Sequence, residues 1–200
     1  MQVGHLSALL EPGDIVLFAS AKQWGDAICA YQRLLSPPYS QVSTEFSHSA
    51  IYVGADDIVH ALVLGRATVG GVQRSSLGAY AMNRTVCALR WPRATQLEKR
   101  RLAHEAQLAI GTPYDYTAIA DAMWHLVKRR MNLKNYRSSM FHHHLQQQKE
   151  YKRLVCSEFI LRTYADVYGA SSPLDVPGPS PVLTPADLYV NEGLQTVGGP

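Results

Sequence analysis

Apolar and polar positions change period several times along the chain, and each change marks an element. "LLEPGDIVLFAS" sets a turn, Pro12-Gly13-Asp14, before a β-branched apolar run from Ile15 to Phe18, which predicts a strand. "KQWGDAICAYQRLL" spaces Ile28, Tyr31 and Leu35 about one helical turn apart and predicts a helix. "SPPYSQVSTEF" is loop chemistry. Two strand-like runs follow, 48–53 and 58–63, joined by "GADD", and "VCALRWP" (86–92) predicts a strand stopped by Pro92. "ATQLEKRRLAHEAQLAIG" predicts an amphipathic helix with Leu97, Leu102, Ala106 and Ala109 on one side and a stop at Gly111. "TPYDYTAIADAMWHLVKRRMNL" predicts a turn and then a helix, and residues 133–153 are polar and basic. "VCSEFILRTYADVYG" predicts a helix ended by Gly169. The Pro-rich tail is mostly loop, with a short helix begun at Thr184-Pro185. No internal repeat and no regular βαβ alternation are present, so the expected class is α+β with an antiparallel sheet.

Composition adds bounds. The chain has 200 residues, 46% hydrophobic and 18% charged, which suits a single domain over residues 1–200 with its own core. Within it a polar, basic helical or loop insertion is expected at about 125–153. A net charge of +3 is too mild to imply a nucleic-acid partner, and none is expected. Cys29, Cys87 and Cys156 lie far apart, with no CxxC, and an odd count argues against a closed disulfide framework. Free thiols in a reducing compartment are the simpler expectation. The start, "MQVGHLSALLEPGDIVLF", lacks a basic n-region and a long apolar h-region, and no run reaches the ~18 apolar residues of a membrane span. A chain that is cytoplasmic as synthesised is expected, with export by a non-signal route if it acts outside the cell.

The anomaly in this pattern is "SHSAIYVGADDIVHA". Its two strand-like runs carry His48 and His60 where Val or Leu could be buried. A three-residue loop, Gly54-Ala55-Asp56, would pair Val53 with Asp57 and set His60 opposite Ala50. His48 would then lie two residues further along the same face, a diagonal of about 7–8 Å that two imidazoles span. A two-residue loop would put them on opposite faces.

"LVCSEFI" places Cys156 at the expected start of a helix, where unpaired N–H groups and the helix dipole favour a thiolate. A thiolate needs a base for its proton, and the base needs an orienting partner. Cys156, His48 and His60 fill those roles in that order, His60 holding the His48 tautomer.

"EPGDIVLF", "SHSAIYVG…IVHA", "GTPYDY" and "VCSEFI" together resemble the circularly permuted NlpC-type papain-like hydrolases, in which the histidine strand precedes the nucleophile helix. The likeness covers residues 11–63, 111–120 and 154–168, and "TPADL" near the end is similar too. Within that group "HSAIYVGADDIVHA" is most similar to the lecithin:retinol acyltransferase and thiol phospholipase branch, which has a second His at the same spacing, whereas many other permuted bacterial relatives carry Glu at the position of His60. "VCSEF" departs from the Asn-Cys-Glu-type sequence of that branch, which leaves the substrate open. The resemblance implies a papain-like sheet packed on the nucleophile helix, with Cys156 as nucleophile, His48 as base and His60 as the third polar residue. It implies a thiol hydrolase or acyltransferase acting through a thioester acyl-enzyme, on acyl esters of membrane lipids in phospholipase A or acyltransferase fashion. The alternatives are a peptidoglycan peptide amidase or endopeptidase with the same Cys-His-His site, and a non-catalytic binding module. An antibacterial toxin, with an inhibitor or immunity protein as partner, fits either enzymatic reading.

Other candidates follow from single motifs. In "PYDY", which carries Tyr114 and Tyr116, Tyr114 stands where the family often has an aromatic near the pocket, a place from which its hydroxyl could donate to substrate or its ring simply pack. Asp14 is read as turn chemistry, and Cys29 and Cys87 as structural. His142, His143 and His144 are consecutive and cannot all face one ion from a regular element, so no metal and no cofactor are expected. Lys128, Arg129, Arg130, Lys134 and Arg137 could contact anionic lipid as a peripheral membrane surface, or form a solvated face.

Overall fold

The structure, a computed structural model, describes residues 6–19, 26, 28–30, 32–33, 43–64, 69–116, 154–174 and 183–199. The chain is α+β. Its strands are β1 (Ile15–Ala19), β2 (Phe46–Gly54), β3 (Asp57–Leu64), β4 (Val69–Ser76), β5 (Val86–Arg90) and β6 (Gln195–Gly198). They form one antiparallel sheet in the order β4-β3-β2-β1-β5-β6. Helix α1 (Leu77–Ala81) leaves β4, α2 (Gln96–Leu108) follows β5, α3 is Cys156–Tyr168, and α4 is Pro185–Tyr189.

Both faces of the sheet are covered, and strand alternation divides the side chains between them. Val16, Phe18, Ala50, Tyr52 and Ile58 pack under Leu77 and Ala81 of α1 and under Leu6 and Leu10. Ile15, Leu17, Ile51, Val59 and Leu89 face Leu102 of α2 and Phe159, Ile160 and Tyr164 of α3.

The β2–β3 hairpin differs from the expected three-residue loop. Gly54 pairs with Asp57, so the turn is Ala55-Asp56, both left-handed at φ 52° and 62°. That geometry matches the twist of the flanking strands. A register shift between Tyr52 and Gly54 leaves Val53 as an extra residue, and beyond it Tyr52 pairs with Ile58 and Ile51 with Val59. The bulge therefore restores the register that the longer loop would have given. Asp56 also fixes the next element: its carbonyl accepts from Leu77 N–H at 2.7 Å, and its carboxylate accepts from Ser76 Oγ at 3.2 Å and Gly78 N–H at 3.4 Å. Through these bonds the hairpin tip sets the position of α1.

Helix α2 begins with a capping box from Thr95 to Glu98. Its buried residues are Lys99, Leu102, Ala103 and Ala106, whereas Leu97, expected on the same side, is 71% exposed. Five positions separate Leu97 from Leu102, which places it about 140° round the helix. Helix α3 starts without a side-chain cap, after Val155, and Gly169 at φ 55° ends it as expected. A parallel bridge between Tyr114 and Leu154 fixes the chain entering α3. On its other side Ser157 Oγ donates to Leu183 O beside α4. Thr184 and Asp187 form a capping box at the expected helix start, and Ala186 N–H donates to buried Gln32, which itself donates to Phe46 O at 2.8 Å. The start of α3 and the start of β2 are thus held to one frame. All three cysteines are free and buried. No helix among the described residues is long and apolar enough to cross a membrane.

Candidate active site

The β2–β3 ladder stops at Ile51–Val59, so His48 and Ser49 have no β3 partner in it. His48 lies on the α1 face of β2, across from Phe18 of β1. Its Nε2 meets His60 Nδ1 at 2.9 Å, so the shared face expected from the sequence is present. His60 Nε2 in turn meets Ser75 Oγ, on β4, at 3.0 Å. Two proton orders close this chain. In one, His48 Nε2–H donates to His60 and His60 Nε2–H donates to Ser75, which leaves a lone pair on His48 Nδ1. In the reverse order Ser75 donates inward and His48 Nδ1 carries the hydrogen. The bond to His60 takes up Nε2 alone, so Nδ1 is the nitrogen of His48 left for another partner.

Tyr80 of α1 covers both rings, with centroids 4.5 Å from His60 and 5.4 Å from His48. The Arg84 guanidinium lies 4.3 Å from the Tyr80 ring centre. Burial holds both imidazoles neutral. His60 is pushed down from 6.5 to about 3, first by desolvation and then by the Arg84 charge. His48 lies well below its usual value for the same reason, with His60 and Arg84 adding to it.

Cys156 is the first residue of α3, as expected. Its electrostatics differ from the expectation. Cys156 is 6% exposed, and burial raises its thiol pKa above 9.0 despite the N–H groups that favour the thiolate. The resting thiol is therefore neutral. Foremost among the groups favouring its ionisation is the Ser49 N–H. Tyr52 N–H donates to Asp14 O on the β1 side, and ladder direction alternates along a strand. The Ser49 N–H thus points away from β1, into the gap β3 has left. No Cys156–His48 hydrogen bond is formed; the two are linked through Ser49, next to His48, and through Tyr80, whose ionisation the sulfur disfavours. Tyr114 is 3% exposed, and its hydroxyl is raised first by burial and then by the charge that Cys156 would carry.

Two sequence candidates are structural. Asp14 accepts the Glu11 N–H at 2.8 Å, as turn chemistry requires, and also binds Arg90 through both oxygens. Cys87 is fully buried, its thiol pushed up to about 11 by desolvation. Residues 125–153, with His142, His143, His144 and the basic run, lie outside the described residues. Ser49, Ser75, Tyr80 and Arg84 were not picked out from the sequence. Ser75 sits in a polar, Gly-rich strand and Tyr80 in a five-residue helix, neither of which has a hydrophobic period to announce it. Among the described residues no group of three or more His, Cys, Asp or Glu side chains is arranged to hold a metal ion.

No protein-family model matches the chain, and no curated protein matches its sequence. Among solved structures it is similar to the metalloprotein yiiX from Escherichia coli O157:H7 (DUF1105), with a TM-score of 0.57 and 16% identity over 95% of this chain and 97% of that one. At that identity the likeness is one of fold.

Proposed function

We propose that the protein is a cysteine-dependent hydrolase or acyltransferase of papain-like arrangement, working through a thioester acyl-enzyme. The observation that carries this reading is the 2.9 Å His48–His60 bond, which engages Nε2 of His48 and leaves Nδ1 as the nitrogen that can take a proton. His48 Nδ1 takes the Cys156 proton, and the bond from Nε2 to His60 orients the ring and disperses the charge it gains. The sulfur attacks the substrate carbonyl. Backbone N–H groups at the start of α3 favour the oxyanion. His48 then returns the proton to the leaving group, and water or a second acceptor takes the acyl group from sulfur. Because thiol and imidazole both rest neutral, the ion pair forms during the reaction rather than before it.

The substrate proposed is an acyl ester of a membrane lipid, supported by the likeness of "HSAIYVGADDIVHA" to the acyltransferase branch. The test incubates the protein with phospholipid vesicles and with muropeptides, with and without a chelator, and reads both by mass spectrometry. Fatty acid release is expected, lost by about a thousandfold or more in Cys156→Ser and His48→Gln. Muropeptide trimming that depends on Cys156 would move the substrate to an amide of the cell wall. The solved structure of similar fold is described as a metalloprotein. Loss of turnover in the chelator would move the chemistry to a metal.

A further inference from the structure

That mechanism leaves one buried polar group without a role. Ser49 is fully enclosed, and its Oγ finds no hydrogen-bond partner among the described residues. Tyr168 Oη shares this condition, but it lies at the far end of α3 and its ring packs on Trp91 at 4.3 Å. An orphan hydroxyl in a strand is a cost that alanine would remove, so the resting protein gains nothing from this serine. Its placement points to another state. Alternation puts the Ser49 side chain on the face of Ile51, the face covered by α3, whose first residue is Cys156. Its N–H points into the gap beside β3, so both donors of one residue converge on the start of that helix.

We propose that Ser49 holds the Cys156 thiolate. As the thiol proton passes from Sγ to His48 Nδ1, the S–H electron pair stays on sulfur, and the Ser49 N–H and O–H both donate to it. The hydroxyl is without a partner among the described residues of the resting protein, and the charge formed on sulfur gives it one. Its tendency to lower the thiol pKa, alongside the N–H, agrees with this. The inference rests on Cys156 being the nucleophile and adds a donor at the reacting atom.

The test measures the rate of Cys156 alkylation against pH, by peptide mapping, in wild type, Ser49→Ala and Ser49→Thr, with a thermal midpoint for each. In Ser49→Ala the profile should move to higher pH by about one unit, a roughly tenfold slower reaction at mildly alkaline pH, while the midpoint holds or rises. Ser49→Thr, which keeps the hydroxyl, should stay nearer wild type. An unchanged profile overturns the inference whatever the midpoint does, and a lowered midpoint with an unchanged profile assigns Ser49 to packing. Turnover that survives Cys156→Ser would instead remove the thiol mechanism, an outcome the alkylation profile cannot mimic.

Discussion

Two polar clusters lie at opposite ends of β1, and they treat charge in opposite ways. At the Ile15 end, Asp14 is bound through both oxygens by Arg90, at 2.8 and 2.7 Å. Arg90 continues to Glu11 at 2.7 Å and to Leu9 O, and Glu11 also takes Lys99 at 2.6 Å and Gln96 at 3.0 Å. At the Phe18 end, His48 and His60 are neutral, His48 Nδ1 is left outside the bond between them, the thiol is protonated and a hydroxyl is orphaned. The first cluster spends its charges on one another and clamps β1, β5 and α2. The second keeps its charges unformed and its donors unspent, which is what the proposed chemistry requires. Burial alone does not separate the two, since Asp14 and His60 are equally enclosed. What separates them is whether each group's hydrogen-bonding capacity is already used.

The contrast can be broken at its strongest point first. Asp14→Asn removes the charge that Arg90 binds and should cost about 3 kcal/mol of stability, read from urea midpoints, with the turnover of folded protein unchanged. A large fall in turnover at intact stability would mean that the clamp belongs to the site.

Acid should expose the other cluster. Below pH 6.5 the unfolded chain protonates His60 while the folded chain does not, until the folded value of about 3 is reached. The unfolded state binds the extra proton, so stability falls as pH falls through that window, by about 1.4 kcal/mol per pH unit for this histidine. Urea midpoints measured across the window should show a slope shallower by that amount in His60→Gln. Parallel slopes in the two proteins would contradict a neutral His60.

The smallest effect belongs to Ser75. Loss of its hydrogen bond frees the His60 tautomer, and Ser75→Ala should slow turnover about tenfold, with recovery in Ser75→Thr. Imidazole nitrogen shifts read by NMR should show the His48 tautomer becoming mixed in the alanine variant. Should they stay fixed, orientation comes from Tyr80 packing and not from the hydrogen-bonded chain.

The legible parts of this site were those that break a local rule. Histidines in apolar strands and a cysteine at a helix start stand out because cheaper residues would serve there. Ser75 and Tyr80 break no rule. The sequence of β4 has only two apolar side chains, Val69 and Val72, three positions apart, so "VGGVQRSS" shows no alternation, and "LGAYA" is too short to show a helical period. The turn was misread because Ala55-Asp56 lacks the Asn-Gly signature of a left-handed pair, and Val53 carries no mark of a bulge. The thiol's resting state was misread because helix-start N–H groups were weighed without the burial that opposes them.

The Val53 bulge bears on when the site comes into being. A hairpin of residues 46–64 folding by itself has a simpler pairing available, with the same two-residue turn and no bulge. That pairing puts His60 opposite Ile51 and sends His48 to the other face. The native register is instead secured by β1, which pairs Ile51 with Ile15 and His48 with Phe18, and by α3, which buries Ile51 and Val59 together. A fragment can carry both histidines without carrying the dyad. The His48–His60 bond thus depends on the sheet and α3 closing on one another, and a nascent chain that has made only this hairpin lacks it.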